Sequence, residues 1–138
     1  MNLTGNWQGF YEYGLGYELP FFGQRVKIKT TITDVNGSFT GEIEEELSEF
    51  SVQLKSSIKG FIENDFISFV KKYSQKPVLD NSSEIIYENG HLEIEHEGFI
   101  DEENQSIYGK WLIREIMSDE NLGTFEYTTE GIWLLSRV

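Results

Sequence analysis

A chain of 138 residues with a formal net charge of −13 and no cysteine suits one domain over residues 1–138 with a single core, and excludes disulfides and thiolate chemistry. The charge disfavours nucleic acid and anionic membranes, because a phosphate backbone is repelled by such a field. No apolar run approaches the roughly 20 residues that span a bilayer, so no membrane insertion is expected.

Met1 leads almost directly into strand-like sequence. A cytoplasmic location is therefore expected, in keeping with the lack of cysteine, with a removed signal peptide as the alternative. Thirteen glycines, 14% aromatics and only two prolines favour an all-β barrel or sandwich.

Leu3 to Tyr13 opens the chain with Leu3, Gly5, Trp7, Gly9, Tyr11 and Tyr13 on one parity and Thr4, Asn6, Gln8 and Glu12 on the other. This is the two-residue period of a half-buried strand, with Phe10 the exception. Gly14 to Gly23, rich in glycine and aromatics and holding Pro20, reads as a loop long enough to cover something. Gln24 to Val35 turns Val26, Ile28, Thr30 and Ile32 inward, and Asn36-Gly37 is a strong hairpin signal. Ser38 to Leu47 returns with Phe39, Gly41, Ile43, Glu45 and Leu47 inward, which lets Lys27 and Lys29 meet the outward Glu42, Glu44 and Glu46.

Ser51 to Tyr73 reads as a second hairpin, with Val52, Leu54, Ile58 and Ile62 inward and a two-residue turn at Asn64-Asp65. That turn predicts a register in which Ile62 faces Ile67, Gly60 faces Phe69, Ile58 faces Lys71 and Ser56 faces Tyr73. Lys71 is then on the buried face. Ser74 to Gly90 is the least regular stretch, with Asn89-Gly90 expected to close a small hairpin. His91 to Ile100 alternates again, placing Leu92, Ile94, His96, Gly98 and Ile100 inward, and Asp101 to Gln105 is a charged turn. Ser106 to Ile116 carries Ile107, Gly109, Trp111, Ile113 and Glu115 on one parity, Met117 to Leu122 reads as a polar connection, and Gly123 to Leu135 carries Phe125, Tyr127, Thr129, Gly131, Trp133 and Leu135.

About eight antiparallel strands joined in sequence predict an all-β fold, an eight-stranded antiparallel up-and-down β-barrel with little helix. Interior glycines permit the coiling such a barrel needs, and closure removes its edges.

The Gly5-Asn6-Trp7 element at the start of the first strand resembles the G-x-W element of lipocalins, and Thr40-Gly41-Glu42-Ile43 and Tyr108-Gly109-Lys110-Trp111 add repeated glycine-centred strands. With its length and strand count, the chain resembles the calycin superfamily of lipocalins, fatty-acid-binding proteins and avidins. The resemblance implies a lipocalin-like barrel with a ligand site inside, and a basic residue, here Arg137, packed across Trp7. The lipocalin T-D-Y element is missing from its place, since Thr33-Asp34-Val35 lies too early, and no biotin-binding set aligns.

In an up-and-down barrel each inward residue has a height. The tight connections share one end, which collects Leu3, Trp7, Ile32, Phe39, Ile62, Ile67, Ile100, Ile107, Trp133 and Leu135 and should be a plugged apolar floor. The opposite end receives Tyr11, Tyr13, Glu45, Ser56, Lys71, Tyr73, His96, Glu115, Tyr127 and Thr129, with Trp111 among the aromatic walls. Buried polar groups must be satisfied by each other, by water or by a ligand, and a barrel mouth with apolar walls and a few convergent polar groups suits a small hydrophobic or amphipathic ligand. Lys71 would meet an anionic or carbonyl group. The plainer alternatives are that Lys71 pairs with Glu45 or Glu115 and stiffens the rim, and that His96 is a hydrogen-bonded core histidine.

Two further readings compete. One is an acidic protein-interaction module of inhibitor or immunity type, presenting Glu42, Glu44, Glu46, Glu93, Glu95 and Glu97 to a basic partner. The other is a cofactor-free isomerase or dehydratase using Glu45, Glu115, His96, Lys71 or Tyr127 as acid and base. His91 and His96 point to opposite faces and make no metal site, and no cofactor is expected. Outward Phe61, Phe66 and Val70 on one hairpin, and Leu112, Ile132 and Leu134 on another pair of strands, suggest a homodimer.

Overall fold

Alternation of apolar and polar side chains becomes ten strands and no helix in a computed structural model that describes residues 1–138. They are β1 (Gly5–Tyr13), β2 (Arg25–Val35), β3 (Ser38–Glu45), β4 (Ser56–Glu63), β5 (Phe66–Tyr73), β6 (Lys76–Leu79), β7 (Ile85–Glu88), β8 (Glu93–Asp101), β9 (Ser106–Asp119) and β10 (Gly123–Arg137). Eight close an antiparallel barrel in the order β1-β10-β9-β8-β5-β4-β3-β2, each pairing with its neighbour in sequence once β6 and β7 are set aside. Those two pair only with each other.

The register across β4 and β5 is the one that the Asn64-Asp65 turn implies: Ile62 opposite Ile67, Gly60 opposite Phe69, Ile58 opposite Lys71 and Ser56 opposite Tyr73. Asn64 takes a positive φ of 54°, as does Asn36 in the preceding hairpin turn, a conformation asparagine tolerates better than most residues. Two backbones approach closely where Gly98 faces Gly109 across β8 and β9. A Cβ on either glycine would lie 1.9 Å from a backbone carbonyl oxygen of the other strand, so neither position admits a side chain without moving the sheet.

The floor is sealed by the N-terminal segment. Leu3 and Trp7 are fully buried, the Trp7 indole N–H donates to the Leu3 carbonyl at 2.8 Å, and the Arg137 guanidinium lies 4.5 Å from the centre of the Trp7 ring. Asp34 extends the inward parity of β2 beyond Ile32 and accepts the backbone N–H groups of Leu3 and Gly37, each at 2.9 Å. An isolated carboxylate would be costly there; these two donors offset its desolvation.

Several boundaries differ from those expected from sequence. β4 starts at Ser56, not near Ser51, and β3 stops at Glu45, so Leu47 is 75% exposed and not inward. The chain turns at Glu45, whose carboxylate accepts the Val52 N–H at 2.7 Å as residues 46–55 curl back over the barrel, and Val52 is buried as its parity implied. Leu79 and Ile85 bracket the turn of the small hairpin, which Asp80 closes by accepting the Ser82 and Glu84 N–H groups; Asn89-Gly90 follows β7 and is not its turn. Met117 to Leu122 is not a polar connection. Pairing runs unbroken to Gly123 opposite Asp119, and Asp119 caps the turn by accepting the Asn121 and Leu122 N–H groups. β9 and β10 therefore project beyond the rim, which leaves Phe125 and Tyr127 largely outside the core.

The outward acidic strands are laced with cations. Glu44 pairs with Lys55 at 3.1 Å, although the register sets Lys29 opposite it; Glu95 pairs with Arg114 at 2.8 Å and Glu97 with Lys110 at 3.4 Å. Exposed pairs of this kind add little to stability.

Candidate functional site

Three long connections and the projecting β9–β10 hairpin all rise from the end of the barrel opposite the tight turns. Beneath them lies a cavity of about 370 Å³. Its inner wall is barrel: Tyr11 and Tyr13 from β1, Lys71 and Tyr73 from β5, His96 from β8 and Trp111 from β9 all border it, as do Glu115 and Tyr127 nearer the rim. Of the residues expected at the mouth, Glu45 and Ser56 stand outside the wall, both buried behind it.

Glu45 lies behind the wall and organises it. One carboxylate oxygen accepts the Tyr11 hydroxyl at 2.5 Å and the Val52 N–H at 2.7 Å. The other accepts the Tyr73 hydroxyl and the Lys71 ammonium, the latter at 3.3 Å. Four donors from β1, β5 and the β3–β4 loop thus fill the lone pairs of a single side chain, leaving it no free site to take a proton from a substrate. The Lys71 and Glu45 side chains are 4% and 0% exposed. Burial lowers the Lys71 pKa, and the Glu45 charge opposes that shift. Burial raises the Tyr11 and Tyr73 hydroxyls well above the ordinary range, and the adjacent Glu45 adds to it. Lys71 also sits between two rings, with Nζ 4.7 Å from the Tyr11 centroid and 4.8 Å from that of Tyr73. These contacts realise the plainer reading of Lys71, a buried ion held by its partner, while leaving it in the cavity wall.

His96 stacks on Phe69 with ring centroids 4.4 Å apart, and its Nδ1 lies 3.0 Å from the Ile94 carbonyl oxygen. A carbonyl only accepts, so Nδ1 carries the proton and Nε2 keeps its lone pair. Burial, reinforced by the charge of Lys71, pushes the His96 pKa down to about 3. Trp111 is buried against Tyr11, Tyr13 and Tyr17 in edge-to-face contacts, with centroids 6.0–6.3 Å away. Its indole N–H has no hydrogen-bond partner.

The rim departs further from expectation. Glu115 binds Lys76 of β6 at 3.4 Å and not Lys71, which ties the small hairpin to β9. Tyr127 is 41% exposed and donates to the Gly16 carbonyl at 2.6 Å, tying the projecting hairpin to the β1–β2 loop. Sequence reasoning missed the covers themselves. Tyr17 and Phe21 come from the loop noted as long enough to cover something, and Pro77, Val78 and Ile85 from the β6–β7 hairpin. The Tyr87 hydroxyl accepts the Gln53 N–H at 2.7 Å and joins two of the covers. The signal for this hairpin was its apolar content, Pro77-Val78-Leu79 and Ile85-Ile86-Tyr87, in an otherwise polar stretch.

His91 is exposed and His96 buried, as their parity requires, and no cluster of three or more histidine, aspartate or glutamate side chains is arranged to hold a metal. No helix is long and apolar enough to cross a membrane. No family model, curated protein or solved structure matches this chain.

Proposed function

We propose that this protein is a small-molecule binder of calycin-like type, holding a hydrophobic or amphipathic ligand at the open end of its barrel. The observation that carries this reading is the covered cavity. Its volume of about 370 Å³ falls within the range of about 300–1,000 Å³ typical of ligand pockets. Its wall is aromatic and aliphatic with a few polar groups at the inner end, and its covers are tied to one another and to the barrel by hydrogen bonds and one ion pair. Catalysis has less support, because Glu45 is saturated and Glu115 is paired at the rim. N-phenyl-1-naphthylamine should bind saturably at one site with enhanced, blue-shifted emission, and Ile113→Trp, which fills the cavity, should abolish the signal. A flat titration, or the same titration for the filled variant, removes this reading.

A specific surface favours a homodimer as well. The two outward apolar groups seen in the sequence are joined across β8 and β9, because Phe66 lies opposite Phe99, Phe99 opposite Tyr108 and Tyr108 opposite Leu134. With Phe61 beside Phe66, four exposed aromatics form one stripe. Glu97 next to it is paired with Lys110, which lowers the local repulsion between two copies of this acidic chain. Such contiguous apolar surface marks interaction sites. Sedimentation equilibrium should show a dimer that Phe99→Lys converts to monomer; a wild-type monomer at every concentration overturns the pairing.

A further inference from the structure

At the inner end of the cavity the donors are engaged or closed off. Tyr11 and Tyr73 donate to Glu45, Tyr13 donates to the Phe50 carbonyl at 2.6 Å, and the Lys71 ammonium is held between Glu45 and two tyrosine rings. The unpartnered Trp111 indole N–H is sealed among its neighbours with essentially no accessible surface. One acceptor differs. His96 is 6% exposed and borders the cavity; Phe69 covers one face of its ring, and Nδ1 is turned back to the Ile94 carbonyl. Nε2 has no partner in the protein and, unlike the Trp111 nitrogen, is not enclosed. The wall therefore presents the cavity with a lone pair that lacks a donor, and a largely buried acceptor left unpaired is unfavourable.

The charges of the wall are matched, since Lys71 pairs with Glu45 and Glu115 with Lys76. A ligand anion would find no free counter-ion and a ligand ammonium would enter near Lys71, so either would be desolvated without compensation. An amide would bring a carbonyl that needs a donor, and the inner wall has none to give. A phenol brings one strong donor and an oxygen whose lone pairs are drawn into its ring, so it leaves little unsatisfied. Its flat body suits the edge-to-face aromatic surface that Tyr13, Tyr17, Phe21 and Trp111 form. Burial and the Lys71 charge hold the His96 pKa at about 3, so the imidazole is too weak a base to remove the phenolic proton and serves only to accept it in a hydrogen bond.

Resting on the small-molecule reading above, we infer that the ligand is a neutral phenol, its ring on the aromatic side of the cavity around Trp111 and its hydroxyl donating to His96 Nε2. The polar contact of the cavity is thereby assigned to an acceptor, His96, and not to Lys71.

2-Naphthol and 2-methoxynaphthalene share one skeleton and differ in the donor. By calorimetry on the full chain at pH 7, naphthol should bind about five-fold more tightly, the size of one net hydrogen bond, and His96→Phe should remove that preference. A second readout needs only the wild-type protein and stands even if the variant folds poorly. The chain has two histidines, so nitrogen NMR on histidine-labelled protein resolves His96, whose Nε2 resonance should move upfield with naphthol and far less with the ether. An ether that binds as tightly as naphthol or more tightly, or an Nε2 resonance that both probes move alike, overturns the inference and leaves the small-molecule reading in place. No saturable binding of either probe removes both.

Discussion

Glu45→Ala is expected to destabilise the protein by about 3–5 kcal/mol, the usual cost of removing one partner from a buried ion pair. The loss has three parts. Lys71 would keep its charge with no counter-ion, or give up its proton to stay buried. The Tyr11 and Tyr73 hydroxyls would lose their shared acceptor, and the Val52 N–H would lose the bond that curls residues 46–55 inward. Against a total stability of about 5–15 kcal/mol for a domain, this is a large fraction. Urea denaturation followed by tryptophan fluorescence measures it. The double variant Glu45→Ala/Lys71→Met should recover part of the loss, because the stranded charge is then gone. A midpoint for Glu45→Ala within error of wild type would show that the cluster is not structural.

Acidification is expected to cost about 4 kcal/mol between pH 6.5 and pH 3 through His96 alone. Burial and the neighbouring Lys71 charge hold the folded-state pKa at about 3, whereas the unfolded chain titrates near 6.5. In that window the unfolded state binds a proton that the folded state refuses, so stability present above pH 6.5 is lost as pH falls toward 3. The groups around the ring oppose its protonation: Lys71 is cationic, Phe69 and Trp133 are apolar, and the one accepting contact, the Ile94 carbonyl, is already engaged with Nδ1. Carboxylates add their own acid dependence, so the informative quantity is the difference between wild type and His96→Gln. The variant should lose less stability between pH 7 and pH 4, and superimposable curves would remove His96 from the account.

Most of the barrel was legible in the chain because its determinants are local. A side chain's face follows from parity alone, and Asn36-Gly37 and Asn64-Asp65 set the registers of β2–β3 and β4–β5 through backbone conformations these residues readily adopt. From parity and turns, Lys71 on the inner face followed, as did Trp7 in the floor and the polarity of the two ends. Arg137 over Trp7 came from the calycin resemblance, and the structure has that contact. The lengths of the last two strands were not legible. Asp119, Glu120 and Asn121 read equally well as a linker or as a tight turn, and the choice depends on whether Phe125 and Tyr127 find partners across the hairpin.

By itself, the sequence determined an all-β chain, its inward and outward residues, and two turns that define a floor and a mouth. The tertiary structure alone decided what the mouth is. Glu45 draws donors from β1, β5 and a loop separated by up to 34 positions in sequence, and which of several nearby donors a carboxylate accepts cannot be read from the period of any one strand. The same holds for the covers. Leu47 turns outward because the chain bends after Glu45, which takes the Val52 N–H seven residues on, and Pro77 to Tyr87 becomes a cavity cover because the β6–β7 hairpin buries its apolar face only against the open barrel.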